Sequence, residues 1–195
     1  MTDLKTTLQR YLQSAREALL WKLDGLGEYD LRRPLTPTGT NLLGLVKHSA
    51  ATDVEYFGTV FDRPFPDPPA WFALIESVPN IEMWATADET SEYLTDLYRR
   101  VWDHSNATVD ALDLDATGTV PWWPEERRTV TLGQILVHMT AETNRHAGHA
   151  DIVRETIDGA AGLGARNTNL PPADQYDWTA YRAQVEQAAR TAAGL

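Results

Sequence analysis

The densest run of reactive side chains in this 195-residue chain extends from His138 to Asp151 and includes Glu142, His146 and His149. Three of the five histidines fall within it, and the chain has no cysteine. Thiolate nucleophiles, disulfides, zinc fingers and iron–sulfur clusters are therefore excluded together. Any metal must be held by His, Asp or Glu. On an α-helix, where each residue turns about 100°, positions four apart are neighbours on one face. His138, Glu142 and His146 climb such a face as a ladder, and His149 follows three residues on. Ile135 and Val153 project from the same stripe, so this face is expected to point into the core.

A carboxylate buried without compensation is costly. A divalent cation would remove that cost, and so would a buried hydrogen-bonded network. Glu142 and His146, at i and i+4, can both reach one ion from one helix, and a third ligand must then come from another helix. His48 is the best placed, in the apolar run Leu45-Val46-Lys47-His48-Ser49-Ala50. Imidazole and carboxylate donors suit Zn²⁺, Ni²⁺, Mn²⁺ or Fe²⁺. A Glu-x-x-x-His pair also occurs on ordinary helix faces, so at the level of residue types the metal and the polar network stand side by side.

The neighbouring groups divide in the same way. His138 shares the helical phase of Glu142 but lies a turn earlier, and reads as a hydrogen-bonded core histidine. His149 reads as a partner behind the ligands or as a proton relay. Asp151 and Arg154 lie off the stripe and suit structural ion pairs. His104 has no companion at ligand spacing. Trp122 and Trp123, in a loop just before the histidine-bearing helix, can wall a small-molecule pocket or plug the end of a bundle. Glu55 and Tyr56, on the helix of His48, are candidates for the pocket rim.

The elements that must position these groups are helical. Leu4, Leu8, Leu12, Ala15, Leu19 and Leu23 recur at three- and four-residue steps after a cap at Asp3, with Gly25 and Gly27 as the stop. A second helix is predicted from Asn41 to the proline cluster at Pro64-Phe65-Pro66, which cannot continue it. Thr86 and Glu89 have capping-box spacing before a third helix with Tyr93, Leu94, Leu97, Val101 and Trp102 on its stripe. A loop is expected from Asp113 to Val130. The fourth long helix opens at Thr131 and Gln134, runs through Leu132, Ile135, Leu136, Met139, Ile152, Val153 and Ile157, and stops at Asp158-Gly159. A short last helix is expected over 179–193. The sum is an all-α four-helix bundle with a crossover connection, over 1–160, and a C-terminal helical extension over 161–195.

Composition limits the partners. The net charge of −11 (17 basic against 28 acidic residues) argues against nucleic acid and against a polybasic membrane contact. No apolar run has the length of a membrane span, and the charged N-terminal stretch is not that of a signal peptide. A cytoplasmic location is expected.

The string Glu142-Thr-Asn-Arg-His146-Ala-Gly-His149-Ala-Asp151-Ile-Val-Arg154-Glu155, followed by Asp158-Gly159, resembles the DinB superfamily of metalloproteins. It is most similar to the mycothiol transferase branch and to the metal-binding domain of mycothiol-dependent maleylpyruvate isomerase. The resemblance covers roughly residues 1–160. It implies a four-helix bundle with a crossover and a divalent metal, zinc first, with nickel, manganese or iron as alternatives. It also implies a ligand set of one His on the second helix and a Glu-x-x-x-His pair on the last, which His48, Glu142 and His146 match. The extra C-terminal domain of the isomerase has no counterpart in this length, so isomerase activity is not expected. The implied activity is transfer of a low-molecular-weight, mycothiol-like thiol to a small electrophile, by a protein that can be a homodimer. The alternatives are a non-catalytic metal-binding or stress-response bundle and a metal-dependent hydrolase.

Overall fold

The computed structural model describes residues 3–172 and 174–195, so Met1 and Thr2 of the expected first unit lie outside it. Six α-helices are present among the described residues: α1 (Leu4–Trp21), α2 (Glu28–Arg32), α3 (Leu42–Phe57), α4 (Ser91–Ala111), α5 (Leu132–Asp158) and α6 (Trp178–Ala193). α1, α3, α4 and α5 form the bundle, and the all-α expectation holds. α1 packs along α5, while α3 packs on both α4 and α5. Consecutive bundle helices α1 and α3 thus do not pack side by side, and neither do α4 and α5. The connections between them cross the ends of the bundle.

Local chemistry fixes the helix ends. The carboxylate of Asp3 accepts from the backbone N–H groups of Lys5 and Thr6, Asn41 caps α3 through Gly44 N–H, and Thr131 caps α5 through Gln134 N–H. Gly159 closes α5 at φ +79°, a left-handed conformation that favours glycine. α4 begins later than the Thr86–Glu89 spacing suggests. Its cap is Thr90, which accepts from Tyr93 N–H. The Glu89 carboxylate does accept from Thr86 N–H, but it tightens the turn before the helix and does not open the helix itself. The 113–130 loop contains an unexpected antiparallel ribbon, β1 (Thr117–Thr119) with β2 (Thr129–Thr131). A Cβ at Gly118 would lie 2.6 Å from the Val60 carbonyl oxygen, so this glycine lets the ribbon pack on the turn that follows α3.

The core is divided into two apolar clusters. One centres on Leu19, Leu42, Leu45, Leu94, Leu97 and Val153, and the other on Leu12, Phe57, Val109, Leu132, Ile135 and Met139. Arg16, Ser49, Asp53, Ser105 and Thr143 are buried beside these clusters. Ile152 does not join the core and is 67% exposed. It and Val153 are about 100° apart on the helix, and only Val153 points inward. α6 has no buried residue. No helix among the described residues is long and apolar enough to cross a membrane.

Candidate metal centre

α3 and α5 pack against each other, and their facing turns bring His48 together with Glu142 and His146. One nitrogen from each imidazole and one carboxylate oxygen all lie within 4.8 Å of one another. His146 Nε2 and Glu142 Oε1 share a hydrogen bond of 2.9 Å along α5, as the i, i+4 spacing requires. The rings of His48 and His146 meet edge to face with centroids 4.8 Å apart. His146 is buried, and His48 and Glu142 are half-buried.

The electrostatics suit ligation. Burial holds both imidazoles below the ordinary histidine range. At His48 the nearby His146 adds to that effect, while Glu82 and Glu142 oppose it. At His146 the Glu142 carboxylate opposes it. Neutral imidazoles keep the lone pair that a cation needs. The Nδ1 atoms of His48 and His146 are buried and make no hydrogen bond with the described residues. One nitrogen from each imidazole and a carboxylate oxygen, drawn from two helices, make a donor set of the kind a divalent ion takes.

The site opens on a cavity of about 280 Å³ lined by His48, Thr52, Glu55, Tyr56, Trp122, His138 and Glu142. Residues 48, 52, 55 and 56 follow one another along a single face of α3, which explains why one helix supplies both a donor and most of a wall. Trp122 is 46% exposed and lines the cavity, whereas Trp123 packs on the lower core cluster. Both indole N–H groups point at the Tyr56 hydroxyl, at 3.4 and 3.1 Å. The two roles weighed for this tryptophan pair are therefore divided between them. The Glu55 carboxyl is pushed up to about 7, chiefly by burial and then by the charges of Glu82 and Glu76.

The other sequence candidates separate. His138 is half-buried and lines the cavity, rather than sitting in the core as expected, with its ring tilted against Tyr56 at 4.7 Å and edge to face with Trp123 at 5.2 Å. His149 is exposed, with its ring 5.5 Å from that of His146. Asp151 pairs with Lys22 at 3.0 Å, and Arg154 pairs with Asp158 at 2.7 Å, so both serve structural ion pairs. His104 packs against Phe65, away from the donors. Glu82 was invisible to sequence reasoning. It lies in a 3-10 turn, Ile81–Met83, within a proline-interrupted connection that has no periodicity, yet its Oε1 stands 3.9 Å from His48 Nδ1.

Fold and site together define a four-helix bundle with a lateral His₂–Glu donor set able to hold a divalent metal ion. The family model described as Mycothiol-S-transferase matches residues 7–159. The chain belongs to that family, a branch of the DinB superfamily. No curated protein matches it.

Proposed function

We propose that the chain is a metal-dependent S-transferase that joins a low-molecular-weight, mycothiol-like thiol to a small electrophile. Membership of the Mycothiol-S-transferase family supports a thiol transferase type of activity. The observation that carries the metal-dependent part is the convergence of His48, Glu142 and His146 on the wall of an open cavity. These three residues are the proposed ligands, with zinc the ion that best suits a His₂–Glu set. The chemistry such an ion supplies is Lewis acidity, which lets a thiol ionise more readily than its free form with a pKa of about 8.5.

The protein groups do the rest. His48 and the Glu142–His146 pair would hold the ion at the wall of the cavity. Trp122 and Tyr56 give the cavity an aromatic wall that orients the partners and displaces water. The S–H bond breaks and its proton passes to a protein base. Sulfur bonds to the electrophilic carbon as the bond from that carbon to its leaving group, a halide in a halogenated bimane, breaks and the halide departs with the electron pair. The proposed acceptors are the Glu55 carboxylate, which lines the cavity and is pushed up to about 7, and His149, exposed beside His146. With no cysteine in the chain, no side-chain thiol competes for the electrophile.

The same reading assigns catalysis to residues 1–160, as a homodimer in the cytoplasm, and leaves 161–195 as an extension. The end of the family match at 159 and the exposed α6 support that division. The test combines metal analysis with a thiol-transfer assay using a halogenated bimane. Purified protein should carry about one zinc and form the thiol adduct, and His48→Ala and His146→Ala should lose both. Full metal content in the two variants would defeat the ligand assignment. Adduct formation equal to background in a metal-loaded wild type would defeat the transferase reading.

A further inference from the structure

A histidine can present one nitrogen to a ligand only if the proton is fixed on the other, and the hydrogen bond made by that other nitrogen decides the tautomer. His48 Nδ1 is buried and has no hydrogen-bond partner among the described residues. The acidic atom facing it is Glu82 Oε1 at 3.9 Å, and the second carboxylate oxygen, Oε2, is also buried and unpartnered. Two complementary groups thus face each other, just beyond contact, inside the protein. Both side chains are largely covered, with 19% of His48 and 18% of Glu82 exposed.

The turn that carries Glu82 is clamped onto the first turns of α3. Gly44, one helical turn before His48, leaves a notch in which the Met83 carbonyl oxygen sits, and a Cβ built there would lie 1.8 Å from that oxygen. Asn41, which caps α3, also donates its side-chain amide to the Met83 oxygen at 3.3 Å. Lys47, the residue before His48, donates to the Trp84 oxygen at 3.1 Å and pairs with Glu89 at 2.9 Å. Its ammonium lies 4.5 Å above the Trp71 ring. A notch, a cap and a buried lysine therefore hold the two backbone carbonyls that follow Glu82, those of Met83 and Trp84. The only acidic group that turn brings to the site is Glu82.

We propose that Glu82 is a positioning residue for His48. Its carboxylate accepts the Nδ1–H of the imidazole, directly after a small closure or through one bridging water. Nε2 is then left unprotonated toward the cavity and the other two donors. This rests on the proposed function, in which His48 is a ligand. A carboxylate behind a ligating imidazole fixes its orientation and raises its basicity.

The test uses the full chain and two variants, Glu82→Ala and Glu82→Gln, whose amide oxygen can still accept the proton. Long-range ¹H–¹⁵N correlation spectra of the metal-free protein at pH 8 should show His48 as the Nδ1–H tautomer in wild type and Glu82→Gln. Glu82→Ala should lose that preference while its melting temperature stays near wild type. Zinc affinity, measured by competition with a chelator, should fall about 10–100-fold in Glu82→Ala and much less in Glu82→Gln. Unchanged affinity in Glu82→Ala, or an Nε2–H tautomer in wild type, overturns the proposal while leaving the metal centre intact. A wild type that binds no zinc overturns the metal centre, and the positioning role with it.

Discussion

Arg16 of α1 and Asp53 of α3 meet at 2.7 Å in the middle of the bundle, each with a side chain 1% exposed. Tyr98, Ser49 and Ser105 are buried in the same polar layer, and several of its atoms, Asp53 Oδ1 among them, have no hydrogen-bond partner among the described residues. Breaking a buried ion pair from one side strands a charge, whereas replacing both partners can be nearly neutral. Arg16→Met should therefore cost about 3–5 kcal/mol, and Arg16→Met with Asp53→Leu should recover much of that. Urea unfolding of the two variants measures the difference. Equal losses in the single and double variants would mean that the pair is not what holds this layer.

Gly44→Ala places a methyl group where the Met83 carbonyl now sits. Because that obstacle is backbone, the 81–84 turn must move. The expected loss is about 1–3 kcal/mol, read as a drop in melting temperature. Zinc affinity should fall in parallel with Glu82→Ala. A Gly44→Ala protein with wild-type melting and wild-type affinity would show that the notch is slack.

Glu55 should make stability depend on pH. Its folded carboxyl titrates at about 7 against an ordinary 4.5, with burial as the main cause and Glu82 and Glu76 adding to it. His48, His138 and Glu142 share its cavity. Between those two pH values the unfolded chain has released a proton that the folded chain still holds. Stability contributed by the neutral acid is thus fully present below pH 4.5 and lost as pH rises through 7. Glu55→Gln should leave the melting temperature of metal-free protein unchanged near pH 4.5 and raise it at pH 8. After discounting for the open cavity mouth, the gain is about 1 kcal/mol, or roughly 2–4 °C. Calorimetry at both pH values checks the sign. A gain at acid pH only would refute it.

Trp122→Ala removes the exposed aromatic of the cavity wall and leaves the three donor residues untouched. If that wall orients the partners, KM for the thiol or the electrophile should rise about 5–10-fold, equivalent to roughly 1 kcal/mol of aromatic contact, with metal content unchanged. Initial rates over both substrate concentrations decide it. An unaltered KM for both would remove the indole from the binding surface.

Metal removal should separate catalysis from folding. The bundle carries two packed apolar clusters independent of the donors. Chelation should therefore abolish transfer and leave the helices folded, with a stability loss of about a few kcal/mol at most, set by mass action at about RT ln(1 + [L]/Kd). Circular dichroism of chelated protein, followed by zinc add-back, reads both effects. Cooperative unfolding on chelation would make the ion structural.

Much of this was legible in the chain itself. Period and capping alone locate α1, α3 and α5, because Asp3, Asn41, Thr131 and Gly159 act on backbone groups within a few residues of themselves, whereas the start of α4 at Thr90 is not the one its spacing suggests. Spacing alone also puts Glu142 beside His146, since an i, i+4 pair shares a helix face whatever else the chain does. His48 could be picked from its apolar run, and the resemblance points to it too, but its meeting with that couple is decided by α3 packing against α5 across nearly a hundred residues. Glu82, the division of labour between Trp122 and Trp123, and the Arg16–Asp53 layer left no trace in any local pattern. Each depends on where a carbonyl, a glycine notch or a neighbouring helix falls in space, and such contacts form only once the chain has closed on itself.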